Sequence, residues 1–180
     1  MSVSPLVSII ILNYNARELL LNCVESVFKT NYSNIEVIIV DNASKDKSYL
    51  KCKEKFDKIH LIENKENLGY CEGNNVGMRL AKGEFMVILN PDTIVSPNWL
   101  TELLSAYSIT GEGLYQPKIL SLYENNVIQS TGNMLHLFGF GFARDKGILD
   151  NNQHNKIERI GYASGTCLFT STKVLERVGL

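Results

Sequence analysis

Three short apolar runs, Val7 to Leu12, Val37 to Val40 and Phe85 to Leu89, are rich in Val and Ile and bounded by polar residues. Uninterrupted runs of this kind predict strands of a parallel sheet covered on both faces. After the first run, Asn15 with Glu18 three residues on predicts a capped helix start. Leu20, Val24, Val27 and Phe28 then form one apolar helical stripe. After the second run, Ser44 is expected to cap a charged helix holding Lys45, Asp46, Lys47, Lys51, Lys53, Glu54 and Lys55. Its mixed signs predict a solvated face rather than a binding patch. Lys58 to Ile62 reads as a short strand, and Gly73 to Lys82 as a helix with Gly83 just beyond. Ser96-Pro97 predicts an N-cap and a first-turn proline for a helix through Trp99, Leu100, Leu103, Leu104 and Tyr107.

From about Gly113 the pattern loosens. Gly132 to Gly147 reads as a loop or hairpin, and the aromatic residues of Leu137 to Phe142 are expected to pack inward. A mobile flap or a patch touching a membrane is the alternative for that stretch. Tyr162 to Thr170 reads as a strand. Val174 to Gly179 reads as a helix ending on a glycine C-cap.

The order β-α-β-α-β-α-β implies an α/β, doubly wound layer with helices on both faces. In such sheets ligands bind beyond the carboxyl ends of the strands. Candidate chemistry therefore lies in Asn13-Tyr14-Asn15, Asp41-Asn42-Ala43-Ser44 and Asn90-Pro91-Asp92-Thr93. The loop Asn67 to Tyr70 adds a fourth end, entering a helix whose first turn is expected to carry Asn74 and Asn75. Asp41 has two readings: turn chemistry ahead of a helix, or a carboxylate that accepts from a nucleobase imide or a ribose hydroxyl. Asp92 likewise is either a turn residue or an oxygen ligand for a hard divalent cation bridging to a diphosphate. A helix N-terminus beside Asn74 and Asn75 would add N–H donors for phosphates.

Composition narrows the class. The chain has 180 residues, about one domain. Lys and Arg, 18 together, nearly balance 19 Asp and Glu, so a nucleic-acid grip is not expected. Four scattered cysteines, Cys23, Cys52, Cys71 and Cys167, with no Cys-x-x-Cys pair, read as reduced and mostly buried thiols of a cytosolic protein. No apolar run approaches the roughly 20 residues of a membrane span. There is no Gly-x-x-x-x-Gly-Lys-Ser/Thr loop, no paired His at metal-ligand spacing, and no Gly-x-Ser-x-Gly elbow. His60, His136 and His154 read as surface residues.

The run Val7 to Asn15 resembles the opening strand of the family-2 glycosyltransferases, and Ile35 to Asp46 their second strand with its aspartate. Asn67-Leu68-Gly69-Tyr70, Gly73 to Gly77, Ala81 to Phe85 and Leu89-Asn90-Pro91-Asp92-Thr93 continue in that family's order. Tyr162 to Phe169 and Val174 to Gly179 are similar to its Gly-rich strand and following helix. The resemblance implies a GT-A fold, a Rossmann-like three-layer α/β/α sandwich with a mostly parallel central sheet. It implies inverting transfer of a sugar from a nucleotide-diphosphate donor to a glycan or lipid-linked acceptor. Residues 1–180 would form one glycosyltransferase domain, with 1–110 the nucleotide-sugar-binding half and 111–180 the start of an acceptor-side half.

By the same resemblance Leu12, Asn13 and Tyr14 would line the base, and Asp41 would hold the base or ribose. Asn74, Asn75 and Asn90 would face the nucleotide-sugar, and Asp92 would hold Mg2+ or Mn2+. Two departures stand out. Asn90 replaces the first Asp of the family's Asp-x-Asp, and Asn74 stands where many members carry Arg. These, with the Asn-Pro-Asp-Thr spelling, resemble a rhamnosyltransferase-like branch and imply dTDP-rhamnose. The resemblance puts the general base beyond Leu180, so the chain is expected to be the donor-binding part of a longer enzyme. Its place would be the cytoplasm, at the inner face of the membrane if the acceptor is lipid-linked. A non-catalytic nucleotide-sugar-binding or scaffold module is the alternative. A sugar nucleotidyltransferase would need a Gly-rich, basic signature where Asn13-Tyr14-Asn15 stands.

Overall fold

In the computed structural model, which describes residues 4–179, each apolar run becomes a strand of one sheet. The elements run β1 (Val7–Asn13), α1 (Glu18–Phe28), β2 (Ile35–Asp41), α2 (Ser48–Lys55), β3 (Ile59–Glu63), α3 (Gly69–Leu80), β4 (Phe85–Leu89) and α4 (Trp99–Thr110). Then come β5 (Ile119–Leu120), β6 (Ile128–Ser130), β7 (Asn133–Leu135), β8 (Gly141–Ala143), β9 (Cys167–Ser171) and α5 (Thr172–Val178). The five-stranded sheet has the order β3-β2-β1-β4-β9. β1 pairs in parallel with β2 and β4, β2 pairs in parallel with β3, and β9 runs antiparallel beside β4.

Alternate residues of the central strands feed two cores. Val7, Ile9, Ile11, Val37, Ile39, Val87 and Leu89 face α1, α2 and α4, whose Leu20, Val24, Cys52 and Leu100 complete that layer. Ile10, Ile38, Val40 and Met86 face α3 and α5, through Met78 and Leu175. Three layers result, as the α/β order predicts. Burying each such aliphatic side chain stabilises by roughly 1.5–3 kcal/mol, which holds the strand ends in fixed register.

Several local expectations fail, for reasons that shape the site. Asn15 does not cap α1; it has φ 55° and its side-chain oxygen accepts the Lys45 N–H at 2.8 Å. Ser44 does not cap α2, which begins only at Ser48; its hydroxyl accepts the Asn15 N–H at 2.9 Å. Lys45, Asp46 and Lys47 therefore belong to the loop, while Lys51, Lys53, Glu54 and Lys55 do form the solvated helix face. α3 starts at Gly69, four residues before the expected Gly73, so Asn74 and Asn75 stand in its second turn. α4 starts at Trp99, with Ser96-Pro97 in the turn ahead of it.

The segment 162–166 stays outside the strand expected there, and Tyr162 makes only an isolated bridge to Asn133. Leu137 to Phe142 does lie in a hairpin, β7 with β8, but the side chains do not pack inward. Leu137 is 92% exposed, Phe138 77% and Phe140 70%. The three cysteines Cys23, Cys52 and Cys167 are buried, Cys71 is exposed, and all four are free thiols.

Candidate functional site

The carboxyl ends of β2, β1 and β4 lie side by side in that order, since Asn13 pairs with Asp41 and Ile11 with Leu89. Adjacent strands sit about 4.8 Å apart, so the ends of β2 and β4 are separated by roughly 10 Å across the tip of β1. That edge collects the polar residues.

Asn13 is fully buried and Asp41 is 2% exposed. The Asn13 amide donates to Asp41 Oδ1 at 2.7 Å and also lies within reach of the Ser44 and Ser48 hydroxyls, at 3.1 and 3.2 Å. The Ser44 N–H donates to Asp41 Oδ2 at 2.8 Å. Each carboxylate oxygen thus has one internal donor and keeps acceptor capacity. Both readings of Asp41 have a counterpart here: it builds the turn to Ser44, and it stands at the strand exit, though it caps no helix.

Asn42, which the sequence offered only as part of the Asp41 to Ser44 stretch and without a role, organises the next loop. It is 2% exposed and uses its whole amide. Its Nδ2 donates to Asn67 Oδ1 at 2.9 Å and to the Gly69 carbonyl at 3.1 Å. Its Oδ1 accepts from Asn64 Nδ2 at 2.9 Å and from the Leu68 N–H at 3.3 Å. The only available signal was the recurrence of Asn at Asn42, Asn64 and Asn67, each beside a strand or helix end.

A second clasp joins the β1–α1 and β2–α2 loops. Asp46 accepts the Arg17 N–H at 2.8 Å and the Ser48 N–H at 3.0 Å. Burial disfavours the charged form of Asp46, but these N–H groups outweigh it and hold the carboxyl below its usual value.

α3 lies unusually close to the strand ends. A Cβ on Gly73 would come within 2.5 Å of Leu12 Cδ1 and 3.0 Å of Asn42 Nδ2, so any larger residue would have to displace the Leu12 side chain. Leu12 accordingly packs beneath α3, while Tyr14 is 53% exposed above the edge. Asn74 is 2% exposed; its Nδ2 donates to the Tyr70 carbonyl at 2.8 Å, and its Oδ1 is buried without a partner among the described residues. Asn75 is half-buried and donates to Glu72 at 3.3 Å. Because α3 begins at Gly69, its first-turn N–H groups lie at Gly69 to Glu72, that of Gly69 donating to Asn67 Oδ1 at 2.8 Å, and not beside Asn74 and Asn75.

On the other flank the Asn90 N–H donates to the Thr166 carbonyl at 3.0 Å, and its carbonyl accepts the Thr93 hydroxyl at 2.6 Å. Asp92 is exposed on the turn that follows. Tyr70 closes the edge from above, donating its hydroxyl to the Gly165 carbonyl at 2.7 Å. The structure thus brings Leu12, Asn13, Tyr14, Asp41 and Asn90 to one edge with Asp92 beside them. Asn74 is sealed under α3 instead. No group of three or more His, Cys, Asp or Glu suited to a metal occurs among the described residues. The oxygen donors present, one Asp92 carboxylate and the Asn90 amide, suit a hard cation that takes its remaining ligands from phosphates and water. Burial pushes the Cys23 and Cys167 thiols up to about 12, so neither serves as a thiolate nucleophile.

Residues 8–179 match the family described as "Glycosyl transferase family 2". The "Low-salt glycan biosynthesis hexosyltransferase Agl10" of Haloferax volcanii is 30% identical over 183 residues, covering 96% of this chain and 54% of that protein. An "Uncharacterized glycosyltransferase" of Haemophilus influenzae is 33% identical over 104 residues, 56% of this chain and 32% of that one. Among solved structures, "Mannosyltransferase PcManGT from Pyrobaculum calidifontis in complex with GDP-Man and Mn2+" superposes with a TM-score of 0.71 at 19% identity, over 99% of this chain and 48% of that one. S. aureus TarS 1-349 superposes with a TM-score of 0.70 at 19% identity, over 96% and 48% respectively.

The chain belongs to glycosyltransferase family 2, and its fold is the GT-A fold of these neighbours. It spans about half the length of the Haloferax relative and of the two superposed structures.

Proposed function

We propose that the carboxyl edge of β2, β1 and β4 binds a nucleotide-diphosphate sugar, and that the protein transfers the sugar with inversion to a glycan or lipid-linked acceptor. The observation that carries this reading is the Asn13–Asp41 pair facing the Asn90–Asp92 turn across β1. Asp41, fixed by Asn13 and Ser44, presents oriented acceptor lone pairs to a base imide or ribose hydroxyl. Tyr14 offers an exposed ring for the base. Asp92 and Asn90 would hold Mg2+ or Mn2+, which when bound neutralises the departing diphosphate. The superposed mannosyltransferase was solved with GDP-Man and Mn2+, which supports that assignment of ligand class. The Asn90-Pro91-Asp92-Thr93 spelling supports dTDP-rhamnose as the donor. The acceptor class rests on the family and on the Haloferax hexosyltransferase relative.

Calorimetric titration with UDP, dTDP and GDP, with and without Mn2+, tests the reading. One diphosphate, dTDP first, binds more tightly with metal. Asp92→Asn removes the metal-dependent part, and Asp41→Ala weakens nucleotide binding with or without it. Absence of metal-dependent binding to all three would overturn the proposal and favour a scaffold module.

A further inference from the structure

Residues 163–166 lie in no strand, yet they lead from the Tyr162 bridge beside β7 to the start of β9 at the donor edge. Side chains hold this connector from two directions. The Ser164 N–H donates to Gln116 Oε1 at 2.7 Å, and Gln116 Nε2 donates to Ser130 Oγ at 3.0 Å, which fixes the end toward β6. Toward α3 the tie is Tyr70, whose hydroxyl donates to the Gly165 carbonyl at 2.7 Å across 95 residues of chain. A Cβ on Gly165 would come within 2.4 Å of that hydroxyl and 3.1 Å of the ring carbon that bears it, so glycine lets the phenol reach the backbone. Partial burial raises the Tyr70 phenol above its ordinary value, so it stays a hydrogen-bond donor at neutral pH.

The next carbonyl along reaches the other flank of the edge. β4 and β9 pair antiparallel with Leu89 opposite Cys167, and the rung after it, Asn90 with Thr166, is half made. The Asn90 N–H donates to the Thr166 carbonyl at 3.0 Å. The return bond is replaced: the Thr166 N–H donates to Ser164 Oγ at 3.2 Å, and the Asn90 carbonyl accepts the Thr93 hydroxyl. A single backbone hydrogen bond therefore joins the Asn90–Thr93 turn to the neighbouring connector. Pro91 fixes one backbone torsion between Asn90 and Asp92, so the direction in which the turn leaves β4 sets where the exposed Asp92 carboxylate lies.

The planar peptide between Gly165 and Thr166 is gripped at both ends, its oxygen by Tyr70 and its N–H by Ser164. With both ends held, the plane cannot rotate, and the Thr166 carbonyl that follows it keeps its aim at Asn90. Without the phenol, the oxygen end is released and that aim is lost.

We propose that Tyr70 is a positioning residue for the Asn90–Asp92 turn: its hydroxyl orients the Gly165–Thr166 peptide, and the Thr166 carbonyl in turn orients Asn90 and the carboxylate two residues on. The start of α3 and the Asp92 turn, on opposite flanks of the donor edge, are thereby joined before any ligand arrives, which lowers the ordering cost of binding. The tie is a property of the protein alone; its consequence for a cation at Asp92 rests on the donor-site reading above. Two simpler roles predict different behaviour. A ring that only packs would be replaced without loss by Phe, and a ring that only touches the nucleotide would act equally with and without metal.

The test is amide hydrogen exchange on the protein without ligand, then titration with dTDP, UDP and GDP, with and without Mn2+. Tyr70→Phe, Gly165→Ala and the double variant are compared with the parent. Tyr70→Phe should quicken exchange of the Asn90 N–H about three- to tenfold, the worth of one neutral hydrogen bond, and leave the amides of β1 and β2 as they were. Its metal-dependent gain in nucleotide affinity should fall about three- to tenfold, with metal-free affinity within about twofold of the parent. Gly165→Ala, whose methyl displaces the hydroxyl, should do the same, and the double variant should be no worse than either single one. Unchanged exchange at Asn90 in both single variants would overturn the tie, as would full additivity in the double variant. Equal weakening with and without Mn2+ would also overturn it and make Tyr70 a nucleotide contact. If the parent shows no metal-dependent binding, the donor-site reading falls, and exchange at Asn90 still decides the tie.

Discussion

Residues 4–110, joined by β9 and α5, and residues 111–166 are stabilised by different physics. In the first part, apolar strand residues sit between helices on both faces, and most of the largest fully buried side chains belong to it. In the second, β5 to β8 are strands of two or three residues in two separate two-stranded sheets. Non-glycine residues with left-handed backbones, Asn126, Asp145, Asn152 and His154, mark its turns. Its order comes from directional contacts. Arg144 donates to Thr131 and Glu158, Asp145 accepts from Thr131, and Lys118 donates to Asp150 and Asn155. Area holds one half and geometry the other. Substitution, salt and acid should therefore separate them.

The largest expected separation is between two apolar deletions. Ile39 is fully buried in the sheet, and Ile39→Ala should cost about 2–5 kcal/mol through lost burial and a residual cavity. Phe140, 70% exposed, should tolerate Ala within about 0.5 kcal/mol. Urea unfolding monitored by circular dichroism measures both. A cost for Phe140→Ala comparable to that for Ile39→Ala would show the hairpin packed against something in solution, and the comparison would fail.

A smaller effect tests whether polar geometry also matters inside the sheet half. Asn42→Ala removes four hydrogen bonds and leaves the Leu68 N–H and the Asn64 amide without their partner. The expected cost is about 1–3 kcal/mol. Hydrogen exchange should quicken at Leu68 and at the start of α3, with the amides of β1 and β2 retaining their order of protection. Uniform acceleration across the sheet would mean that Asn42 supports the whole layer rather than one loop.

The same contrast explains what the sequence disclosed. A strand buried on both faces is apolar at most positions, so β1, β2 and β4 are legible as nearly continuous runs, Ser8 being bonded to Glu36, and their polar exits Asn13, Asp41 and Asn90 follow by position. The caps were misread because Asn15 and Ser44 bond across loops, to Lys45 and Asn15, about thirty residues away in the chain. Local spacing carries no trace of such a partner. The role of Asn42, bonded to Asn64 and Asn67, is hidden for the same reason. The hairpin was misread because a run of Phe and Gly shows that rings gather there, and not whether any layer faces them. Asn74 lies sealed because α3 begins one turn earlier than its glycines suggested.

The smallest expected effect compares two carboxylates, one from each half. The Asp46 carboxyl is opposed by burial but held below 3.8 by the Ser48 and Arg17 N–H groups. The Glu158 carboxyl is held below 4.5 by the His154 and then the Arg144 side chain. Both are depressed in the folded state, so both contributions are complete above the ordinary values and vanish as pH falls through the lower folded ones. Raising salt from about 0.1 M to about 1 M shortens the Debye length from about 10 Å to about 3 Å. Glu158 is exposed and its partners are charged side chains, so its midpoint should climb toward 4.5 as salt rises. Two backbone N–H groups inside a loop clasp hold Asp46, so its midpoint should move less. Carboxyl-carbon NMR titration at the two salt concentrations reads each site separately. Equal movement of the two midpoints would mean that Asp46 also depends on mobile charge, most directly on the Arg17 side chain, and that the loop clasp at the donor edge is weaker than its backbone geometry implies.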